Sequence, residues 1–456
     1  MELWQKIKSK MLAHPNQTVS EKKCSLTYEE LVVYAESFAT RLDDGCYGIM
    51  CRNELFSAIA LLSCFAAGVT AVPLSIRYGE KHCRKIINSI GTPYMISDVK
   101  NKLDITDIDM GKYEKPTEHP ALIMCTSGTS GNPKGAMLSE KNILTNVLDI
   151  ADYFDVNEND TILIARPLYH SAVLTGEFLL GLFKGAKIVF TSEQFNPISL
   201  INIIRNENIT VFCGTPTLVS TMASFVKEGD ELPVQKMAIS GECMTENCQR
   251  KIRNAFPNAK IYSVYGLTEA SPRVSYVLPE LLDTYPTSAG IPLKSVKIRI
   301  VDDNGNDVAK GTVGELLVQG DNVMIGYYKE PNRTAKVLKN GWLHTKDLAY
   351  IDKASGMLYI KGRKDGMIIR GGMNIYPQEI ENALMQDSRV EDVLAYGTKD
   401  NDVTRIGIKI KGNFGNTKEV KEMCVKLLPT YQVPNLIEIV IDIPKNGSGK
   451  KLRTLI

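Results

Sequence analysis

TSGTSGNPKG, residues 126–135, is the stretch from which the rest of the chain can be interpreted. It follows ALIMC, an apolar run typical of a buried strand, and it precedes Ser139, which can cap a helix. Its ten residues contain three glycines, four hydroxyl side chains and Lys134. Glycines let backbone N–H groups approach an anion, while the hydroxyls and the lysine add donors and positive charge. The stretch therefore predicts a phosphate-binding loop, although it lacks the GxxxxGK[ST] pattern of a Walker A loop.

On both sides of this loop, helical patterns alternate with short apolar strands up to about residue 265. The strand candidates are KIVF (187–190), TVF (210–212), KMAIS (236–240) and KIYSVYG (260–266). Near the start, Thr27 and Glu30 form a capping-box pattern that predicts a helix from Tyr28 to about Leu42. This alternation predicts a layered α/β architecture with largely parallel strands.

The pattern changes after residue 285, where apolar and polar residues alternate around an Asn-Gly turn. Such alternation predicts a more antiparallel, β-rich subdomain. Beyond GRKDG (362–366) a βαββαβ-like pattern follows, with helices over 377–387 and near 418–428 and strands over 390–397 and 405–411. We therefore expect a large N-terminal domain, residues 1–364, of layered α/β subdomains plus the β-rich subdomain. A small α+β C-terminal domain should occupy residues 365–456.

Composition narrows the class of protein. The chain has 456 residues, 44% of them hydrophobic, which fits several folded units and excludes disorder as the main state. A formal charge of +2 gives no overall electrostatic attraction to nucleic acid. The ten cysteines form no CxxC pair, and the N-terminus lacks the apolar core of a signal peptide. These features predict a cytoplasmic protein with reduced thiols.

Residues 55–76 carry no charge and are numerous enough to span a bilayer. They are rich in Ala and Ser and are interrupted by Gly68. We expect a buried helix that stops at Gly68, followed by a buried strand over residues 69–72, and no membrane span.

Four further segments carry residues suited to chemistry. In YGLTE (265–269), a tyrosine face can stack on a base, and a hydroxyl and a carboxylate can reach phosphate and a metal ion. In GWLHTKDLAYID, Asp347 can accept hydrogen bonds from sugar hydroxyls. GRKDG reads as a linker or hinge, and PKNGSGKKLR places a Gly-bracketed lysine near the C-terminus. Each segment by itself is also compatible with an ordinary turn, strand end or frayed terminus.

Together and in this order, the five segments resemble the core motifs of the adenylate-forming superfamily. That superfamily contains acyl-CoA and aryl-CoA synthetases, adenylation domains of peptide synthetases, and luciferases. The resemblance runs from LTYEEL at residue 26 to KKLR at residue 453, and SAGIPL, GELLVQGDNVMIGYY and LPTYQVP also match blocks of the family. It implies the adenylate-forming fold with a small mobile C-terminal domain.

The resemblance also implies roles for individual residues. Residues 126–134 would wrap the triphosphate of ATP, Glu269 would hold Mg²⁺, and Lys450 would bridge the substrate carboxylate and the α-phosphate. Asp365 would be the hinge between the domains. Of these, Lys450, Glu269 and Lys134, together with Thr268 near the α-phosphate, are the expected catalytic residues. The implied ATP-binding set is Thr126, Ser127, Gly128, Thr129, Ser130, Lys134, Gly241, Tyr265, Gly266, Thr268, Asp347, Arg363 and Lys450.

Two positions depart from the family pattern. Ser130 stands where Thr is commoner, which keeps the hydroxyl. Lys346 replaces the glycine usual before the ribose-binding aspartate, a change that bears on the local backbone geometry and not on the role of Asp347.

The acyl pocket is less well defined by the sequence. Amino-acid-activating relatives usually place Asp after an aromatic residue in the segment RPLYHSAVLTGE, whereas here His170 follows Tyr169. This favours an acid without an α-amino group, although Glu242 in SGECM points the other way. A packing histidine at a helix start is the alternative interpretation of His170. The wall candidates are His170, Ala172, Gly176, Gly241, Glu242, Ser263 and Val264.

The resemblance therefore implies that the chain uses ATP and Mg²⁺ to convert an aryl, enoyl or acyl carboxylic acid into an acyl-AMP. The acyl group would then pass to a thiol, of CoA or of phosphopantetheine on a separate carrier protein, since we expect no fused carrier domain. An adenylation domain that loads an amino or aryl acid onto a separate carrier protein would share every motif. An inactive homologue serving as a binding module is the non-enzyme alternative, which the retained Lys134, Glu269, Asp347, Arg363 and Lys450 disfavour.

Overall fold

The computed structural model describes residues 2–108, 114–127, 133–191, 196–227, 229–242, 244–370, 373–400, 403–445 and 451. Its α-helices, in chain order, are α1 (Glu2–Leu12), α2 (Tyr28–Ala39), α3 (Glu54–Ala67), α4 (Glu80–Ile90), α5 (Glu140–Tyr153), α6 (Ser171–Val173), α7 (Leu180–Lys184), α8 (Pro197–Asn206), α9 (Pro216–Ala223), α10 (Glu246–Ala255), α11 (Pro331–Val337), α12 (Pro377–Leu384) and α13 (Thr417–Leu427).

The strands follow in the same order. They are β1 (Thr18–Glu21), β2 (Cys24–Thr27), β3 (Cys46–Ile49), β4 (Thr70–Pro73), β5 (Tyr94–Val99), β6 (Lys102–Asp107), β7 (Leu122–Ser127), β8 (Pro133–Leu138), β9 (Thr161–Ile164), β10 (Lys187–Phe190), β11 (Val211–Phe212), β12 (Lys236–Ser240), β13 (Lys260–Gly266), β14 (Arg273–Val277), β15 (Ile291–Pro292), β16 (Lys297–Val301), β17 (Gly314–Gln319), β18 (Gly326–Tyr327), β19 (Leu338–Lys339), β20 (Trp342–Ile351), β21 (Leu358–Arg363), β22 (Ile368–Arg370), β23 (Met373–Ile375), β24 (Val390–Asp400), β25 (Val403–Gly412) and β26 (Leu436–Ile439).

The largest sheet has the strand order β15-β14-β13-β12-β11-β9-β10-β1-β2. Its central strands, from β13 to β1, run parallel, and the outer strands pair antiparallel. The predicted strands are confirmed: β10, β12 and β13 have the predicted bounds, and β11 begins one residue later than TVF. These runs form strands because sheets covered on both faces bury nearly continuous apolar sequence.

A second sheet, of order β18-β8-β7-β4-β3-β5-β6, carries the predicted phosphate loop. Strands β7 and β8 are antiparallel neighbours, with Thr126 opposite Lys134. The loop therefore joins the two strands of a hairpin, and Lys134 is fixed on β8 close to the end of β7.

Local helix signals behave as the sequence predicts. Thr27 and Glu30 complete a capping box at α2, which ends at Ala39 rather than near Leu42, and Ser139 caps α5. The uncharged stretch forms α3, stops at Gly68 with a φ of 69°, and continues as β4. Within the described ranges, none of the helices has the length and apolar character that crossing a bilayer requires.

The antiparallel region predicted after residue 285 is a third sheet, of order β16-β17-β20-β19, with β21 also paired to β20. All of its pairings are antiparallel. Because β20 and β21 are neighbours, Asp347 lies opposite Arg363. The third sheet thus brings together two motifs separated in the sequence.

The residues beyond 366 form a hairpin of β22 and β23 and a sheet of order β24-β25-β26, covered by α12 and α13. Helix α12 ends at Leu384, three residues before the predicted end at Asp387. These elements enclose a separate apolar core that includes Ile375, Leu384, Val393 and Ile408. A separate core fits a distinct C-terminal unit, while the division at residues 364/365 stays a prediction.

Candidate active site

The pairing of two neighbouring strands, β20 and β21, fixes the first pair of candidate residues. Asp347 Oδ1 lies 3.4 Å from Arg363 Nη1, and the same Nη1 donates to the carbonyl oxygen of Thr345 at 3.0 Å. The hydroxyl of Tyr265, at the end of β13, donates to Asp347 Oδ2. Burial and the negative charge of Asp347 raise the pKa of Tyr265, so its hydroxyl remains protonated. The motifs YGLTE, GWLHTKD and GRKDG therefore meet at one point.

The backbone conformation of Lys346, where the sequence departs from the family pattern, is unusual for a lysine. Its φ is 63°, so a lysine adopts the left-handed backbone conformation that glycine adopts more easily. For a non-glycine residue this conformation costs about 1–2 kcal/mol. Hydrogen bonds of Thr345 nevertheless hold this part of β20 in place. Its Oγ1 accepts the N–H of Asp347 at 3.0 Å, and its hydroxyl donates to Leu316 O at 2.8 Å.

Glu269 sits on a short 3₁₀ turn, Thr268–Ala270, directly after β13. The hydroxyl of Tyr327 donates to Glu269 Oε1 at 2.7 Å, and the backbone oxygen of Glu269 accepts the N–H of Met324 at 2.9 Å. Burial, followed by the charge of Glu269, raises the pKa of Tyr327. Glu269 is thus held in place from strand β18, whose partner strand β8 carries Lys134.

A carboxylate in this position fits Mg²⁺ bound together with ATP. Magnesium is usually held by one or two carboxylates plus substrate phosphates. Among the described residues, no three or more His, Cys, Asp or Glu side chains lie together in a way that could hold a metal ion. Glu269 can supply one ligand and leave the remaining positions to phosphate oxygens and water.

Positive charge is concentrated around Lys134. Burial lowers its pKa, and the nearby charges of Arg333, Lys346 and Arg363 lower it further, while Glu269 acts in the opposite direction. The Lys134 Nζ lies 5.4 Å from the centre of the Tyr327 ring. Several cations near one carboxylate make a site that favours an anion with more charge than a single carboxylate, as a phosphate chain has.

Gly128, Thr129, Ser130 and Lys450 lie outside the described residues, and Thr126 and Ser127 are described here only as part of β7. Gly266 is the last residue of β13, where added side-chain atoms would collide with the backbone of Pro272 at 2.0 Å. A glycine is therefore required there by packing alone.

His170 lies at the N-cap of α6, next to Ala172. Burial, with the positive charges of Arg166 and Arg77, lowers the pKa of His170 to about 3. Its imidazole is therefore neutral at physiological pH. Two contacts connect this segment to motifs of the predicted ATP site. The hydroxyls of Ser171 and Thr268 lie 3.3 Å apart, and the Tyr169 hydroxyl donates to Cys125 O at 2.9 Å.

Other wall candidates differ in their surroundings. Gly241 has a φ of 97°, which favours glycine. Glu242 Oε2 accepts the hydroxyl of Thr217 at 2.6 Å, while its Oε1 is buried without a hydrogen bond. Ser263 and Val264 are successive residues of β13, so they face opposite sides of the sheet and only one of them can face a given pocket.

Arg166 and Glu177, at the two ends of this segment, form with Arg273 a buried charged cluster that was not predicted from the sequence. Arg166 Nη2 lies 2.6 Å from Glu177 Oε1, and the three residues are 8%, 1% and 2% exposed. A Cβ on Gly176 would lie 2.7 Å from Arg273 Nη2, so Gly176 makes room for that guanidinium. The sequence signal was an arginine placed directly after YGLTEASP and a glutamate within an apolar helical run.

The predicted hinge residue, Asp365, is paired with Arg363. Arg363 donates to Asp365 through Nε at 3.2 Å and Nη2 at 3.1 Å. Beyond it, contacts between described residues of the N-terminal and C-terminal parts include an ion pair and a hydrogen bond. Lys361 Nζ lies 3.0 Å from Glu379 Oε1, and Asn247 Nδ2 donates to Met385 O at 3.2 Å.

Comparison with solved structures shows which fold this is. An o-succinylbenzoate CoA synthetase of Bacillus subtilis, in complex with an acyl-adenylate intermediate, superimposes with a TM-score of 0.85 at 24% identity, over 98% of this chain and 96% of that one. ATP-bound MatB of Rhodopseudomonas palustris gives 0.86 at 22% identity, over 99% and 97%. The predicted adenylate-forming fold is confirmed.

The profile of the AMP-binding enzyme family matches residues 8–328, and that of the AMP-binding enzyme C-terminal domain matches residues 379–450. The chain belongs to the AMP-binding enzyme family.

Among curated relatives, a long-chain-fatty-acid–CoA ligase of Salmonella typhimurium is 33% identical over 353 residues, which cover 75% of this chain and 62% of that ligase. The chain thus spans less than two thirds of the length of this relative. A feruloyl-CoA synthase of Amycolatopsis sp. is 28% identical over 86% of this chain and 84% of its own length.

Proposed function

We infer that the protein activates a carboxylic acid with ATP as an acyl-AMP and then transfers the acyl group to a thiol. The observation that carries this function is the meeting of Tyr265, Asp347 and Arg363 beside Glu269 and Lys134. A carboxylate with a fixed arginine suits the ribose hydroxyls, and the cationic region beside it suits the phosphates. The structural neighbours and the relatives, which include CoA ligases, support this function.

In this mechanism the protein supplies charge and position rather than a covalent nucleophile. The substrate carboxylate and the α-phosphate are both negative, so their approach requires neutralisation. Glu269 would hold Mg²⁺, which as a Lewis acid supplies positive charge at the phosphate oxygens. Lys134 would bind the β- and γ-phosphates, and Lys450 would bridge the carboxylate and the α-phosphate. Tyr265 would lie beside the adenine, and Thr268 would lie beside the α-phosphate.

CoA is the acceptor that the relatives favour, since both named ligases form CoA thioesters. Phosphopantetheine on a separate carrier protein has the same reacting thiol and remains the alternative acceptor. A carrier protein would add a macromolecular contact, so its complex should weaken with salt where charges meet. A cytoplasmic location fits both acceptors, and seven of the nine described cysteines are buried free thiols.

The acid we propose is an aryl, enoyl or acyl acid without an α-amino group. The neutral, partly buried His170 offers no charge for an amino or carboxylate group on the acid. One observation favours the amino-acid alternative, namely the buried Glu242 Oε1 without a hydrogen bond, because an ammonium group could satisfy it.

The decisive experiment is acid-dependent pyrophosphate exchange over a panel of fatty, cinnamic-type, arylacetic and amino acids, followed by thioester assays with CoA and with a carrier protein. We expect exchange with at least one acid of the first three classes and thioester formation with CoA. Exchange with amino acids alone, or transfer to carrier protein alone, would support the adenylation-domain alternative. No exchange with any acid would support a binding module.

A further inference from the structure

One acidic side chain in the C-terminal part joins two lysines that flank residues 446–450. Asp392, near the start of β24, has a side chain that is 14% exposed. Its Oδ2 lies 2.7 Å from Lys445 Nζ, and its Oδ1 lies 2.8 Å from Lys451 Nζ. Residues 445 and 451 also pair in an antiparallel β-bridge, so the two lysines belong to opposite ends of the same short connection. We call this group the Asp392 clamp.

The clamp needs its carboxylate for electrostatic reasons. Two ammonium groups on directly opposite residues of an antiparallel pair repel each other. Burial raises the pKa of Asp392, but the charges of Lys451 and Lys445 outweigh this and hold the pKa below its usual range. Asp392 is therefore ionised at neutral pH and neutralises the repulsion between the two lysines.

Backbone contacts anchor the clamp to the sheet. Asp392 Oδ1 also accepts the N–H of Val393 at 2.9 Å, and Lys451 Nζ donates to the carbonyl oxygen of Val393 at 2.7 Å. The lysine side chains are 25% and 19% exposed, so solvent screens these contacts less than it screens fully exposed ion pairs. Both ends of the connection are thus fixed to one place on β24.

We propose that Asp392 is a positioning residue for the adenylation step, because it fixes both ends of the segment that carries Lys450. The proposal rests on the function proposed above, in which Lys450 acts on the carboxylate and the α-phosphate. Only five residues separate the two anchored lysines, so the position of the ends limits where Lys450 can be placed. Misplacing a reacting group by about 1 Å can reduce a rate about a hundredfold.

Asp392→Asn tests this with little change in size. We expect acid-dependent pyrophosphate exchange to fall about tenfold or more, because the ends separate and Lys450 loses its position. Transfer to thiol from a pre-made acyl-adenylate should change less than about twofold, since Lys450 has no part in that step. Lys450→Ala gives the lower limit for exchange. Equal losses in both half-reactions, or no loss in either, would overturn the proposal.

Glu391→Gln is the matched control. It removes the same charge from the neighbouring residue, whose side chain lies 3.5 Å from Lys411 instead of the clamp lysines. It should leave both half-reactions within about twofold of the wild type. If Asp392→Asn fails to fold, Lys451→Met and Lys445→Met each remove one arm of the clamp and should give the same split between the half-reactions.

A second measurement does not depend on any catalytic activity. Brief trypsin digestion of the native protein, followed by mass spectrometry, reports how readily the chain opens after Lys450. Asp392→Asn should accelerate that cleavage about fivefold or more relative to Glu391→Gln, because cleavage follows local opening. If the wild type shows no exchange with any acid, the proposed function fails while the digestion still decides on the clamp. Equal cleavage in Asp392→Asn and Glu391→Gln would disprove the proposed role of the Asp392 clamp.

Discussion

Around Asp347, charged side chains lie at the edge of the third sheet and remain partly open to solvent, whereas around Glu177 they are enclosed by the core. The side chains of Arg363, Asp365 and Asp347 are 48%, 35% and 13% exposed, while the side chain of Glu177 is 0% exposed. The first group can exchange its partners for a ligand at little cost. The second cannot, because a buried charge without its partner is strongly unfavourable. Similar residue types therefore serve ligand binding in one region and core structure in the other.

The largest expected effect is on the enclosed group. Glu177→Gln keeps the shape but leaves the guanidinium groups of Arg166 and Arg273 without a negative partner, so it should lower the free energy of unfolding by about 3–5 kcal/mol. Urea denaturation at pH 7 measures this. Glu207→Gln removes an exposed partner of Lys187 and should cost less than about 1 kcal/mol. Equal effects in the two variants would remove the distinction between enclosed and open charges.

A second buried carboxylate, Glu54, tests the comparison through the pH dependence of stability. Burial raises the pKa of Glu54 to about 7, although Arg77 and the Leu168 N–H favour the charged form. Since the folded state then binds more protons than the unfolded state between about pH 4.5 and 7, stability should fall as pH rises through that range, by up to about 3 kcal/mol. Glu54→Gln should remove this contribution and flatten the profile, as measured by denaturation at several pH values. Parallel stability profiles for the wild type and Glu54→Gln would contradict the raised pKa of Glu54.

In the open group, function should change more than stability. Asp347→Ala should reduce kcat/KM for ATP in pyrophosphate exchange about a hundredfold, equivalent to about 2.7 kcal/mol, through loss of the ribose contact. Its unfolding free energy should fall by only about 1–2 kcal/mol, because Asp347 is 13% exposed and accepts the Tyr265 hydroxyl, while its partner Arg363 is 48% exposed. Asp303→Ala is the control, as it removes a partner of Lys364 near the same sheet edge. A stability loss in Asp347→Ala as large as that of Glu177→Gln would make Asp347 structural.

The same contrast explains how much the sequence could predict. The strands β10, β12 and β13 and the capped starts of α2 and α5 were predictable because apolar runs and capping residues act locally. The motifs also predicted residues of one site, and Tyr265, Asp347 and Arg363 do meet, while their roles towards ATP stay a prediction. The contact between Tyr265 and Asp347 joins residues 82 positions apart, and the Arg166–Glu177 pair depends on burial, so neither follows from local pattern. Helix ends such as Ala39 came earlier than predicted, because periodicity continues past the last hydrogen-bonded turn.

The smallest expected effect concerns Asp365, where the open group meets the predicted hinge. The two half-reactions need different arrangements of one site, because Lys450 must act at the carboxylate first and a thiol must enter beside the adenylate afterwards. Rotation about a few residues is a common way to exchange such arrangements. Proline at residue 365 would hold φ near about −65° and remove one N–H donor. Asp365→Pro should therefore keep near-normal pyrophosphate exchange.

Thioester formation should instead fall about tenfold or more in Asp365→Pro, equivalent to about 1.4 kcal/mol in the barrier. Asp365→Ala separates backbone from side chain, because it also loses the two hydrogen bonds from Arg363 but leaves φ unrestricted. If Asp365→Ala alone reproduces the loss, the carboxylate matters through Arg363 and not through rotation. Unchanged thioester formation in folded Asp365→Pro would mean that residue 365 belongs to an ordinary linker, and the open group would then serve nucleotide binding alone.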